Sequence, residues 1–391
     1  MASHRENRGF HIDTLARVAR KTLLNEYLAV PVAAAAVWLT LDSKSSANHL
    51  TKVVEHAASL GIKLTSTHIR QVARAALYLG ATGAAISLND LLTIGSANNW
   101  TRGRPKEWQD FDREIVVITG GSSGIGENVA KGFLRRNPKT TLVIVDFAPL
   151  SWTPPSGTLG KNVHYYQADL SKPDVIRDVC ARIRAEIGHP TVLINNAGVA
   201  RGFTLLEGTY ADVEVTLKTN LQAPFLMVKE FLPEMVRTDH GHIVHTCSMS
   251  AIVPPPGIVD YAATKAGVQA LHEGLQMELR YRYNALRVRL TNVIPNFIRT
   301  PLLQGEPAQP RFLAPLLHVE TVSEAIVDSV YSGYGKVVYL PGIMRYITML
   351  RASPEWMFRS LIRNGTAELA VGFQGRQHID EDGGLQVAPN K

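Results

Sequence analysis

Residues 114–126 read EIVVITGGSSGIG, and the rest of the chain can be read outward from them. Ile115 to Thr119 form an apolar, β-branched run without polar alternation, the pattern of a strand buried on both faces. Gly120, Gly121, Ser122, Ser123, Gly124, Ile125 and Gly126 follow, and ENVAKGFLRR then reads as a helix. A glycine-rich turn between strand and helix lets the backbone approach a ligand and aims free N–H groups and the positive helix end at it, which suits a pyrophosphate. Twenty residues beyond Gly126 the next strand-like run, TLVIVD, ends in Asp146. A carboxylate there accepts hydrogen bonds from the adenosine ribose hydroxyls and repels a 2′-phosphate. Gly121, Ser122, Phe147 and Ala148 supply no cation to hold such a phosphate, so the residues point to NAD, with NADP second.

Further along, VHYYQ, TVLIN, HIVHTCS, RVRLTNVI and KVVYL repeat the strand pattern, separated by segments of helical length. Strands apolar on both faces, alternating with helices, predict an α/β fold, a parallel sheet covered by helices on both sides. Tyr261 and Lys265 lie four apart in DYAATKAGVQALHEGL, a helix-compatible run, so both share one face; Ser248 closes the strand HIVHTCS thirteen residues before Tyr261. A neighbouring ammonium and a cationic nicotinamide both favour phenolate, which makes Tyr261 a candidate general acid/base, with Ser248 as a hydrogen-bond partner for the substrate oxygen.

These motifs, in this order and spacing, resemble the short-chain dehydrogenase/reductase family over residues 113–345. The resemblance is carried by Thr119 to Gly126, by Asn195-Asn196-Ala197-Gly198, by Asn220, by Ser248 and by Tyr261-Ala262-Ala263-Thr264-Lys265. It implies a doubly wound, seven-stranded parallel Rossmann sheet, Tyr261 as acid/base, Lys265 lowering its pKa and binding the nicotinamide ribose, Ser248 positioning substrate and Asn220 holding a relay water. The cofactor contacts it implies are Thr119, Gly120, Ser122, Ser123, Gly124, Ile125, Gly126, Asp146, Asp169, Asn196, Ala197, Gly198, Tyr261, Lys265, Pro295, Ile298 and Thr300, with Asn195 shaping the cleft. The family's Pro-Gly after the sixth strand is here Pro295-Asn296, and altered loop geometry with retained cofactor binding is expected, since Asn tolerates left-handed backbone. An apolar N-terminal extension and the stretch YLPGIMRYITML (339–350) resemble the membrane-associated retinol and 17-beta-hydroxysteroid dehydrogenase branch. The segment 296–320, rich in Leu, Phe and Pro, is a candidate lid for a lipophilic alcohol or ketone.

The chain has 391 residues, enough for one large domain and an appendage, and its two cysteines build no disulfide framework. Its formal charge of +7 is spread out and selects no partner by itself. Residues 27–41 and 75–89 are uncharged stretches, each 15 residues long, shorter than the ~20 needed for a clean span. For the first, a signal peptide with Ser45-Ser46-Ala47 as cleavage site, a packing helix and a membrane anchor compete. The sequons at Asn99 and Asn364 favour a lumenal life. Residues 95–113 read as a polar linker.

The expected organisation is a membrane-attachment region and linker (1–105), a Rossmann domain able to fold without it (106–345) and a tail (346–391). The expected enzyme is membrane-associated, at the endoplasmic reticulum or lipid droplets, transferring hydride between NAD and a lipophilic retinoid, steroid or long-chain alcohol or carbonyl. An NADPH-dependent biosynthetic carbonyl reductase and a non-catalytic membrane or lipid-droplet scaffold are the alternatives. A homodimer is compatible with the resemblance, and nucleic acid is not expected. Neither is a metal: His240, His242 and His245 lack a carboxylate or Cys at ligand spacing, and a strand sends the last two to opposite faces. Arg280, Arg282, Arg287 and Arg289 form a basic patch, and Cys247 is expected to be a small buried residue facing away from Ser248.

Overall fold

Val116, Val117 and Ile118 have no exposed surface, which places strand β1 (Ile115–Thr119) at the centre of a sheet rather than at its edge. The computed structural model describes residues 12–22, 24–25, 31–32, 34–37, 44–60, 63, 65–101, 108, 111–300, 302–304, 315–360, 364, 374–375, 377–379 and 385–387. The other main strands are β2 (Thr141–Asp146), β3 (Val163–Gln167), β4 (Val192–Asn195), β5 (Gly241–Thr246), β6 (Val288–Pro295) and β7 (Lys336–Leu340). They form a seven-stranded, wholly parallel sheet in the order β3-β2-β1-β4-β5-β6-β7. The main helices are α1 (Ile12–Lys21), α2 (Lys44–Ser59), α3 (Ser66–Ala97), α4 (Gly124–Arg136), α5 (Pro173–Glu186), α6 (Tyr210–Leu217), α7 (Ala223–Thr238), α8 (Val259–Tyr281) and α9 (Val319–Ser332).

Alternate residues of each strand feed two cores. Val117, Val143, Leu193 and Ile243 pack with residues of α5, α7 and α8. Val116, Ile118, Ile144 and Val244 pack with residues of α4 and α9 on the other face. The period of two along each strand sorts side chains to these faces, and because both are buried the strands read as continuous apolar runs.

The chain divides into two units, residues 10–96 and a second containing residues 97–391. Within the first, α3 is 32 residues long and is apolar and long enough to cross a membrane. At 1.5 Å per residue it reaches about 48 Å, so the uncharged stretch 75–89 is only the middle of a longer helix. Gly83 lies so close to Leu24 that a Cβ would come within 2.8 Å of its carbonyl oxygen, and Asp90 pairs with Arg20 of α1. Val72, Tyr78, Leu88 and Leu91 remain exposed along α3. Of the stretch 27–41, residues 27–30, 33 and 38–41 lie outside the described residues.

Within the segment 95–113, read from its polarity as a linker, residues 98–101 and Trp108 are built into the fold, and residues 102–107, 109 and 110 lie outside the described residues. Asn98 is 2% exposed; its Nδ2 donates to Gly335 O (2.9 Å) and its Oδ1 accepts from Gly335 N (2.7 Å). Arg289, read from sequence as part of a surface patch, is buried and donates to Asn98 O (3.2 Å) and Thr101 Oγ1 (2.9 Å). Asn99 donates from Nδ2 to Leu286 O (3.3 Å), so both the amide and the hydroxyl of this sequon are engaged inside the fold. Left-handed Asn99 and Trp100 (φ 54° and 55°) make the turn, and Trp108 is fully buried with its ring 4.6 Å from His240. Polar composition hid this segment because its polar groups are satisfied by backbone rather than by water.

The stretch 339–350 likewise belongs to the second unit. Met344 and Phe358 are buried with Cys247, Met249, Ile252 and Ile294, and Ile347 and Leu350 pack against that cluster. Arg351 donates to Ala251 O (3.0 Å), so residues 347–358 brace the turn that follows Ser248.

Candidate active site

After β3 the chain crosses back to place β4 beside β1, and the crevice at the carboxyl ends of those two strands is where a doubly wound sheet binds its ligand. Thr119 ends β1 and ties the two sides together: its Oγ1 donates to Ile194 O (3.2 Å) and accepts from the backbone N–H of Asn196 and Ala197 (3.0 Å each). Asn196 returns the link, donating from Nδ2 to Thr119 O and Gly120 O (3.2 Å each). Gly120 turns the chain at φ 67°, and a Cβ there would come within 2.8 Å of Ala197 Cα. At Gly126 a Cβ would collide with Gly120 O. Glycine is therefore required at both positions to close the turn onto α4, and Ser123, at the N-terminus of α4, spends no side-chain bond on capping it.

Asp146 is 6% exposed at the end of β2. Its Oδ2 accepts from Ser122 N (2.9 Å) and its Oδ1 from Ala148 N (3.0 Å). Burial pushes its pKa up, while these backbone donors pull it down. Each oxygen keeps lone-pair capacity for a ribose hydroxyl. Asp169 ties down its own turn, its Oδ1 accepting from Ser171 N (3.0 Å) and Ser171 Oγ (2.7 Å). Gly198 borders the interior of the crevice: a Cβ there would lie 3.4 Å from Asn220 Oδ1 and 3.7 Å from Lys265 Nζ. These residues form a cradle that fits a dinucleotide in shape and donor set.

Tyr261 and Lys265 lie on the first turns of α8, and the Lys265 ammonium is 5.4 Å from the centre of the Tyr261 ring. Lys265 is 4% exposed and donates to Thr246 O (2.8 Å); burial pushes its pKa down to about 8. Ser248 is hydrogen-bonded to Tyr261, and its Oγ also accepts from Ser250 N (3.2 Å). In the protein alone, burial dominates at Tyr261 and pushes the phenol up, with the Ser248 bond opposing it. Asn220 sits in a π-helical turn, Lys218–Gln222, between α6 and α7. Such a turn widens the helix and is frequent at functional sites. The Asn220 side chain clasps the loop after β4, with Oδ1 accepting from Val199 N and Nδ2 donating to Val199 O (2.7 Å each). Asn220, Ser248, Tyr261 and Lys265 thus converge beside the glycine turn.

Pro295 ends β6, and Asn296 N continues the ladder to Leu340 O (2.7 Å). Asn296 is absent from the left-handed residues, so the departure from Pro-Gly is absorbed without a positive φ. Ile298 bridges Leu317, and Thr300 Oγ1 accepts from Leu302 N (3.4 Å). Residues 301 and 305–314 of the candidate lid lie outside the described residues.

Cys247 is buried under α8, its Sγ donating to Lys265 O (3.2 Å). It is therefore closer to the site than strand alternation suggested. His242 and His245 do face opposite sides, toward Trp108 and His272 respectively. Sequence reasoning missed Val199 as the partner of Asn220, and it missed Trp152, whose indole donates to Gly121 O (3.1 Å). A tryptophan in a Pro- and Ser-containing loop was the available signal.

The short chain dehydrogenase family model matches residues 114–311. This chain belongs to that family. It is 38% identical over 238 residues to Dehydrogenase RED2 of Cochliobolus heterostrophus, covering 60% of this chain and 86% of that protein. It is 29% identical over 276 residues to estradiol 17-beta-dehydrogenase 11 of Rattus norvegicus, covering 70% and 91%. In fold it resembles a 4-hydroxyisoleucine dehydrogenase complexed with NADH, at TM-score 0.50 and 22% identity, over 58% of this chain and 97% of that one. The protein is accordingly an NAD(P)-dependent oxidoreductase with a Rossmann core.

Proposed function

We propose that the protein is a membrane-associated dehydrogenase that transfers hydride between NAD and a lipophilic alcohol or carbonyl of retinoid, steroid or long-chain type. The observation that carries this reading is the convergence of Ser248, Tyr261 and Lys265 in the crevice, with Asp146 buried at the ribose end. The bound dinucleotide supplies the hydride acceptor and, when oxidised, a positive charge near the phenol. Ser248 holds the substrate oxygen, and Tyr261 takes its hydroxyl proton during oxidation or returns one during reduction. Burial holds the phenol protonated and the Ser248 hydrogen bond opposes it; Lys265, its ammonium 5.4 Å from the centre of the ring, favours the phenolate by its charge. Asn220 fixes Val199 and hence the loop bounding the crevice, and it is the candidate for ordering a relay water.

NAD is preferred over NADP because a 2′-phosphate would meet the Asp146 carboxylate, whose neighbours Ser122 and Ala148 bring no cation. A lipophilic substrate is supported by the apolar composition of 296–320 and by Leu205, Leu206 and Tyr210, which are exposed on the segment following β4. The estradiol dehydrogenase relative supports the same class. The long apolar α3 supports membrane attachment, and the endoplasmic reticulum or lipid droplets are the proposed location. An apolar groove between α7 and α8, lined by Phe225, Val228, Leu232, Leu271 and Leu275, supports a homodimer.

The test is to incubate detergent-solubilised full-length protein with NAD or NADP and a panel of sterols, retinoids and long-chain alcohols, following absorbance of the reduced cofactor. NAD-dependent turnover of at least one lipophilic class is expected. A preference for NADP overturns the cofactor assignment in favour of the reductase. Cofactor binding without turnover of any alcohol or corresponding carbonyl indicates the scaffold.

A further inference from the structure

The loop between β2 and β3 wraps the outside of the glycine-rich turn. Trp152 is 8% exposed and donates from Nε1 to Gly121 O (3.1 Å). Ser151 Oγ donates to the next carbonyl, Ser122 O. Ser122 Oγ and Tyr165 OH both donate to Ala148 O (3.1 and 2.8 Å), closing the loop onto β3. From the opposite side Asn196 Nδ2 takes the carbonyls of Thr119 and Gly120. The carbonyls of residues 119–122 are therefore each held by a side-chain donor.

In a trans peptide the C=O and N–H point in opposite directions, so holding one fixes the other. Trp152 on Gly121 O and Asp146 on Ser122 N grip the two ends of one peptide plane. Ser151 on Ser122 O sets the direction of the Ser123 N–H, at the N-terminus of α4, where the first N–H groups have no partner within the helix. A wall of Ile144 adds to the grip, since a Cβ on Gly121 would lie 2.8 Å from its Cγ2.

We propose that Ser151 and Trp152 are positioning residues of the dinucleotide site: Trp152 orients the peptide whose N–H is held by Asp146 at the ribose end, and Ser151 orients the next one, whose Ser123 N–H at the start of α4 is left to face the pyrophosphate. They act on cofactor affinity and not on the chemical step. The proposal rests on nicotinamide dinucleotide binding, and both reduced cofactors are assayed so that preference and positioning are read separately.

The experiment compares full-length wild type with Trp152→Phe, which keeps a ring but removes the N–H, and with Ser151→Ala. Kd for NADH and NADPH is measured by fluorescence, together with KM for each substrate and kcat. Each variant is expected to raise Kd for the preferred cofactor and its KM by about 3- to 10-fold, the span of one lost hydrogen bond. The wild-type ratio between cofactors, the KM for alcohol and kcat at saturating cofactor should stay within about twofold. A fall in melting temperature with unchanged cofactor Kd overturns the proposal, as does an equal loss in alcohol KM or kcat. If Trp152→Phe does not fold, Ser151→Ala decides alone, and an unchanged Kd there overturns it. A wild type that binds neither cofactor refutes the underlying reading instead.

Discussion

Replacing Asn98 with Ala should cost the second unit a large part of its stability, although Asn98 lies outside the sheet and far from Tyr261 in sequence. The side chain makes two buried hydrogen bonds to the backbone of Gly335, one through each end of the amide. Gly335 lies so tightly on β6 that a Cβ would collide with Leu290 O, leaving little room for water to replace the lost partner. Each buried group left unsatisfied costs about 1–3 kcal/mol, so the pair is worth roughly 2–6 kcal/mol. That is a sizeable share of a typical total of about 5–15 kcal/mol. With a urea m-value of about 3 kcal/mol per molar, the midpoint should fall by about 0.7–2 M. Tryptophan emission reports this unit, because four of the five tryptophans, Trp100, Trp108, Trp152 and Trp356, lie within it. Asn98→Asp keeps an acceptor for Gly335 N–H and should recover about half of the loss. An Asn98→Ala midpoint within about 0.2 M of wild type would falsify the view that residues 97–101 are a structural clamp.

Truncation gives a coarser reading of the same clamp: a chain starting at residue 97 should be soluble and oxidise a small alcohol, whereas one starting at 106 should aggregate or lose cofactor binding, and equal behaviour of the two refutes it. Tyr261→Phe should reduce turnover at least about 100-fold while NADH binding persists, in line with general acid/base contributions; near wild-type rates would remove Tyr261 from the chemistry. Asp146→Ala should weaken both cofactors by unhooking Ser122 N and Ala148 N, whereas Asp146→Asn with Phe147→Arg should move the ratio toward NADP; unchanged Kd values in both variants would remove Asp146 from the site. Burial pushes His242 and His245 down to about 3 and His272 down to about 4. The unfolded chain binds protons at these positions below about pH 6.5 while the folded chain does not, so stability is lost as pH falls from there toward 4, by about 2 kcal/mol per histidine at pH 5. A urea midpoint that stays flat from pH 7 to pH 5 would contradict their burial as neutral groups.

The sequence by itself determined the sheet and most of the crevice, for a local reason. Strands buried on both faces read as continuous apolar runs, as the inner strands β1, β2 and β4 do, and the edge strands β3 and β7 lie where shorter, β-rich runs occur. The glycine turn is legible because Gly120 and Gly126 stand where a Cβ would strike Ala197 or Gly120 itself. Tyr261 and Lys265 share a face because helical spacing requires it. Other features depend on which distant groups meet, and no window of sequence contains that information. The polar run 97–101 is built into the fold because Gly335, Leu286 and Arg289 reach it from elements about 190 to 240 residues away. The apolar stretch 339–350 is folded against the Ser248 turn because Cys247, Met249 and Ile294 offer it a core, a contact that apolarity alone does not distinguish from a lipid surface. Asn220 was legible as a residue, but only the π-helical turn and Val199 show what its side chain holds. Trp152 stood out only as a tryptophan in a Pro- and Ser-containing loop; that its indole reaches Gly121 O is a backbone contact, and a carbonyl leaves no mark in the sequence.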